Sequence, residues 1–181
     1  MRPVHAMVVL LATWCATVPA NARQVRPPEE IVVETIGRLQ LAAHARRTHL
    51  LGAIDLYTVG IYSAGEIDRA RLVSPDVSKV LRIDVTYRED VRRPMALDWR
   101  RELVPPLEAA GVTHLRGVFA PLQYGDSVQI EYVPAKGTTV RVNKGVAGSV
   151  AQHDLMLAFL DHWLGDRPVS EEIKRTLLAS L

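Results

Sequence analysis

Hydrophobic and polar positions follow two periods along this chain, one of two residues and one close to four. The stretch from Leu50 to Ser63, LLGAIDLYTVGIYS, divides into Ile54, Leu56, Thr58, Gly60 and Tyr62 on one side and Ala53, Asp55, Tyr57, Val59 and Ile61 on the other. Both sets are mostly apolar, and a strand apolar on both faces belongs in the interior of a sheet. Lys79 to Tyr87 has one wet face: Leu81, Ile83, Val85 and Tyr87 oppose Arg82, Asp84 and Thr86. From Asp126 onward, Val128, Ile130 and Tyr132 alternate with Ser127, Gln129 and Glu131, then Thr138, Val140 and Val142 with Thr139, Arg141 and Asn143. Turns at Pro134 to Gly137 and at Asn143-Lys144-Gly145 join these runs to each other and to Val146–Val150, which predicts an antiparallel meander. Ile31 to Leu41 is rich in β-branched residues with Gly37 at its middle and reads as extended.

The longer period marks helices. Met95, Trp99, Leu103 and Leu107 recur every four residues, with Trp99 expected in the core. Pro105 and Pro106 break that stripe near Leu103, because each ring removes a backbone donor and clashes one turn back, and a second short turn runs to Gly111. Leu155, Met156, Phe159, Leu160, Trp163 and Leu164 form a strongly apolar stripe that stops at Gly165. Ser170 caps a last helix, with Glu171 and Glu172 in its first turn and Ile173, Leu177 and Leu181 on its buried side. These helices need a surface to cover, and the sheet is the one available. The expected fold class is α+β, a large antiparallel sheet with helices packed on one face.

Residues 1–22 stand apart from this plan. The apolar run Ala6 to Val18 is too short to span a bilayer but has the length of a secretory h-region, and Ala20-Asn21-Ala22 is a small-x-small site. Cleavage is expected after Ala22, which makes the protein periplasmic or secreted, with residues 23–30 as a tether, residues 31–181 as one domain, and no transmembrane segment in the mature chain. The only cysteine, Cys15, leaves with the signal peptide. That removes disulfides and thiolate chemistry, so the domain must be held by its core. At about 159 residues it buries roughly 70% of the surface of its unfolded chain, which suffices. The formal charge is only +2 and the charges alternate in sign, so nucleic acid is not an expected partner.

Candidate chemistry is sparse. His44, His49, His114, His153 and His162 show no metal-ligand spacing, and no nucleophile elbow or triad can be assembled, so no metal, cofactor or catalytic residue is assigned. Asp161 and His162 are neighbours and point in different directions on a helix. What stands out is polarity inside an apolar strand: Tyr57, Thr58 and Tyr62 are either satisfied in a packed core or line a cavity. Tyr57 and Tyr62 point to opposite faces of a regular strand, so at most one shares a pocket with Thr58. Arg46-Arg47, just before the strand, reads either as a solvated turn or as a guanidinium at the strand's mouth, able to fork onto a ligand carboxylate.

The segments LYTVGIYSAG, YGDSVQIEYVPAKGTTVRVN and FLDHWLGDRPVSEEIKRTLL, in this order behind a signal peptide, resemble the bacterial exported branch of the chalcone isomerase-like family over His44 to Leu181. The resemblance implies an open-faced sandwich of a large antiparallel sheet under a layer of helices. It also implies either of two activities, since the family includes an isomerase that closes a chalcone to a flavanone and non-enzymes that bind fatty acids. The isomerase's tyrosine and asparagine, seven residues apart after the strand that here is Lys79 to Tyr87, have no counterpart: Pro94 follows Tyr87 by seven, and no Tyr or Asn occurs between Arg88 and Gly111. Its arginine corresponds to Arg47 or Arg46 and its strand threonine to Tyr57 or Thr58. The reading that follows is a non-catalytic binder of a fatty acid or similar apolar carboxylate, with Arg47, Tyr57, Thr58 and Tyr62 as candidate ligand contacts. An isomerase acting on an unsaturated ketone and an envelope protein docking a protein partner stand as alternatives.

Overall fold

A computed structural model describes residues 26–50, 52–88 and 99–181. Seven strands, β1 (Glu30–Val33), β2 (Gly37–His49), β3 (Ile54–Ser63), β4 (Lys79–Val85), β5 (Ser127–Val133), β6 (Gly137–Val142) and β7 (Gly145–Val150), form one sheet in sequence order with every neighbour antiparallel. Short helices α1 (Arg69–Val73) and α2 (Pro105–Ala109), the longer α3 (Asp154–Leu164) and α4 (Glu171–Leu178), and two 3-10 segments, Trp99–Leu103 and Thr113–Val118, complete the chain. The expected α+β arrangement of a large antiparallel sheet with helices on one face is the observed one.

The alternation read from the sequence decides which face the helices cover. Val59 and Ile61 of β3, Leu81, Ile83 and Val85 of β4, Val128 and Ile130 of β5 and Val140 of β6 are all buried in one core with the α3 stripe. At the start of β4, Lys79 lies in the same layer, its ammonium donating to the carbonyls of Leu72 (2.8 Å) and Ser74 (2.6 Å) at the end of α1. Burial lowers its pKa to about 8. Arg82, Asp84, Gln129, Glu131 and Arg141 look out of the opposite face. A smaller cluster of Ile31, Val33, Leu39, Tyr62 and Val80 sits apart from the main core, at the β1–β2 end of the sheet.

Several expectations are corrected. Ile31 to Leu41 is two strands, since the chain reverses after Val33 and Gly37 takes φ +97°, where a side chain would be strained. β2 continues to His49, so Arg46-Arg47 is no solvated turn but a strand pair on alternate faces. The actual turn is at Leu50–Ala53, and β3 begins at Ile54 rather than Leu50. From Leu56 to Ser63 every residue of β3 is buried, as an interior strand requires. Asp68 caps α1, accepting from the Arg71 amide at 2.8 Å. The helical stripe breaks between Leu103 and Pro105 as expected, into a 3-10 segment and α2. Met95 and the side chain of Trp99 lie outside the described residues, as does the signal segment. Among the described residues no helix is long and apolar enough to cross a membrane.

Candidate functional site

Arg47 and Tyr57 face each other across the β2–β3 pair and project to the helical side, on the same face as Val59 and Ile61. Tyr57 is fully buried and the Arg47 side chain is 18% exposed. A guanidinium so placed needs an anion, because an uncompensated buried charge is costly. The anion comes from the opposite layer. Beyond Leu103 the helix cannot continue through Pro105-Pro106, and the resulting 3-10 segment Trp99–Leu103 turns Glu102 inward while Leu103 is buried beside it. Arg47 Nε donates to Glu102 Oε2 at 2.9 Å and Nη2 to Oε1 at 2.7 Å, a two-point fork. The remaining end, Nη1, donates to the Thr48 carbonyl at 2.8 Å and fixes the plane of the group. Tyr57 Oη reaches the same carboxylate more loosely, 3.4 Å from Oε2.

α3 closes the site from above with His162 and Trp163. The Trp163 indole N–H stands beside the Tyr57 hydroxyl and favours its ionised form, against the larger effect of burial. Burial, followed by the Glu102 carboxylate, pushes the Tyr57 hydroxyl well above its ordinary range, so the phenol is a proton donor at all working pH. Hydrogen bonding to Glu102 raises the Arg47 pKa further. Burial lowers the His162 pKa against the opposing pull of Glu102, so this ring is held neutral. The assembly is one fixed cation, one neutral phenol and a neutral imidazole around a single carboxylate. The Arg47 fork and the Tyr57 hydroxyl both point at that one carboxylate.

Of the four candidate contacts, the structure brings two together. Thr58 lies on the other face, opposite Arg46 and Asp84, with its Oγ1 buried and without a partner among the described residues. It borders a cleft of about 250 Å³ shared with Arg26, His44, Arg46 and Glu172. Tyr62 is also on that face, donating to the Pro28 carbonyl at 2.9 Å, which pins the residues preceding β1 to the sheet. The opposite orientation of Tyr57 and Tyr62 is as expected; it is Tyr62, not Tyr57, that shares the Thr58 face. Arg46 points away from Arg47 and pairs with Asp55 at 3.4 Å. Glu102, His162 and Trp163 were not read as site residues. The available signal was the arginine on an apolar strand, which demands a carboxylate, but nothing in the order of residues says which one answers.

A family model described as chalcone isomerase-like matches residues 20–179. No curated protein matches the sequence. Among solved structures, a fatty-acid binding protein of Arabidopsis thaliana superposes with a TM-score of 0.49 at 16% identity, covering 83% of this chain and 96% of that one.

Proposed function

This chain belongs to the chalcone isomerase-like family, and from that membership we propose that it is an exported, non-catalytic binder of a fatty acid or similar apolar carboxylate, released by cleavage after Ala22. The observation that carries the reading is the convergence of the Arg47 fork and the Tyr57 hydroxyl on one carboxylate beneath the helical layer. A carboxylate headgroup is matched by a planar guanidinium and a phenol, and Leu103, Leu107, Phe159 and Trp163 belong to the same buried apolar core. The sequence speaks against isomerase chemistry in the same place, since the tyrosine–asparagine pair that orients the isomerase's substrate is missing after β4.

Native mass spectrometry of the protein purified from its exported compartment tests this directly. The expected species is residues 23–181 carrying an adduct in the mass range of a long-chain acid; a chain that still contains residues 1–22 refutes export. Arg47→Ala is expected to weaken palmitate binding about ten-fold or more, because a charge-assisted fork is lost, and to leave methyl palmitate nearly unaffected. Equal losses for acid and ester would sink the assignment of Arg47 to the headgroup.

A further inference from the structure

We propose that Glu102 is the resident occupant of the headgroup site, holding the Arg47 fork in the ligand-free protein, and that a ligand binds by exchanging its own carboxylate for that of Glu102. This deepens the binding function proposed above and rests on it.

Arg47 has only one bidentate edge facing the core. Nε and Nη2 are both engaged by Glu102, at 2.9 and 2.7 Å, and Nη1 is held by Thr48. A second carboxylate cannot take the same fork while Glu102 remains. The side chain of Glu102 is only 16% exposed, so the pair is sheltered and its attraction is not lost to solvent screening. The third donor is held to this carboxylate more loosely. Tyr57 Oη stands 3.4 Å from Oε2, well beyond the 2.5–3.0 Å usual for a hydroxyl on an oxygen. A carboxylate tethered to its own backbone satisfies the fork at the cost of distance to the phenol, whereas a free ligand can approach both.

The segment that carries Glu102 is suited to release it. It is a 3-10 turn of five residues, ended by Pro105-Pro106 and closed by a long hydrogen bond from the Val104 amide to the Arg101 carbonyl (3.2 Å). The neighbouring Arg100, Arg101 and Val104 line a cleft of about 520 Å³ with Glu108, Arg116 and Phe119, while Glu102, which does not line it, is turned to Arg47. Rotation of the Glu102 side chain out of the pair would free both fork positions. The exchange is carboxylate for carboxylate, which keeps Arg47 neutralised throughout, and a neutral ester cannot perform it. The internal group therefore acts as a filter that admits acids and lowers their apparent affinity by the fraction of molecules in which the fork is occupied.

Glu102→Gln tests the exchange, because it keeps the shape and removes the charge. Palmitate should bind this variant about 10- to 100-fold more tightly than wild type, the range that loss of one charge-assisted competitor allows, with methyl palmitate unchanged. The gain should vanish when Arg47→Ala is added, which a merely structural role for Glu102 does not predict. Wild type binding palmitate with no gain in Glu102→Gln, or an equal gain for the ester, overturns the exchange and leaves the binding function standing. Palmitate failing to bind wild type and both variants, each folded by circular dichroism, overturns both. Should Glu102→Gln fail to fold, Glu102→Asp, too short to reach both fork positions, should show a smaller gain in the same direction, and no gain there counts against the exchange.

Discussion

Five positions separate Tyr57 from Tyr62 on β3, and that odd spacing sends one phenol to Glu102 and the other to the Pro28 carbonyl. Two residues of one type on one strand thus do different work, one in the site and one in fastening the chain ahead of β1. His162 shows the same dependence on surroundings. Burial holds its pKa below the ordinary 6.5 even though Glu102 and Asp161 favour the charged ring, while Arg47 opposes it. As pH falls below 6.5 the unfolded chain takes up a proton that the folded protein refuses. Stability is therefore complete above pH 6.5 and is lost on acidification toward the lowered folded value. His153 is shifted the same way, by burial and by Lys79, so the test is a difference. Urea midpoints followed from pH 7.5 to 5 should fall less steeply in His162→Gln than in wild type; parallel slopes would mean that His162 takes no part in the acid sensitivity.

At the scale of elements, the meander β5–β6–β7 is the part most completely legible in the order of residues. Its alternation gave both faces, and the turn residues gave both reversals. Asn143 and Lys144 take φ +49° and +74°, the doubly left-handed geometry of a tight hairpin. Gly137 is required more strictly. Its φ is +89°, and a Cβ there would meet the Val150 carbonyl oxygen and the Ala151 backbone, neither of which can rotate away. Gly137→Ala should cost at least about 2 kcal/mol of unfolding free energy by denaturant titration, the range of a strained substitution combined with a backbone clash. A loss below 0.5 kcal/mol would show that the β5–β6 turn can relax. The β1–β2–β3 region was less legible. A single apolar run there contains a reversal marked only by Gly37, and the charges at Arg46 and Arg47 conceal the end of a strand.

The whole molecule is a sheet with unlike faces. One is sealed by α3, α4 and the segments around α2, and the other carries, among the described residues, the ion pairs of Arg82 with Asp84 at 2.7 Å and Arg141 with Glu131 at 2.9 Å. Glu131 is 2% exposed and its Oε2 has no partner among the described residues, so this carboxylate depends on Arg141. Arg141→Met should destabilise the protein by about 2–3 kcal/mol, because it leaves a buried charge unpaired. Adding Glu131→Met should restore most of the loss, since two apolar groups need no partner. A double variant as unstable as the single one would show that packing around Arg141, and not its charge, is what matters.

Local order was sufficient for the class of fold. A period of two shows that a strand has an inside, a period near four shows that a helix does, and short links between strands make neighbours antiparallel, so the residues themselves determined the sheet, most of its strands and the helical layer above it. It also marked Tyr57, Thr58 and Tyr62 as polar groups on an apolar strand, without saying which of them share a site, and it left Arg46-Arg47 open between a solvated turn and a guanidinium at the strand's mouth. What they face was decided only in three dimensions. Glu102 lies 55 positions from Arg47 in a turn set by two prolines, and Trp163 and His162 come from a helix whose sequence advertises only an apolar stripe. Cross-layer contacts of this kind depend on how one layer settles on another, and no periodicity within either layer encodes that distance.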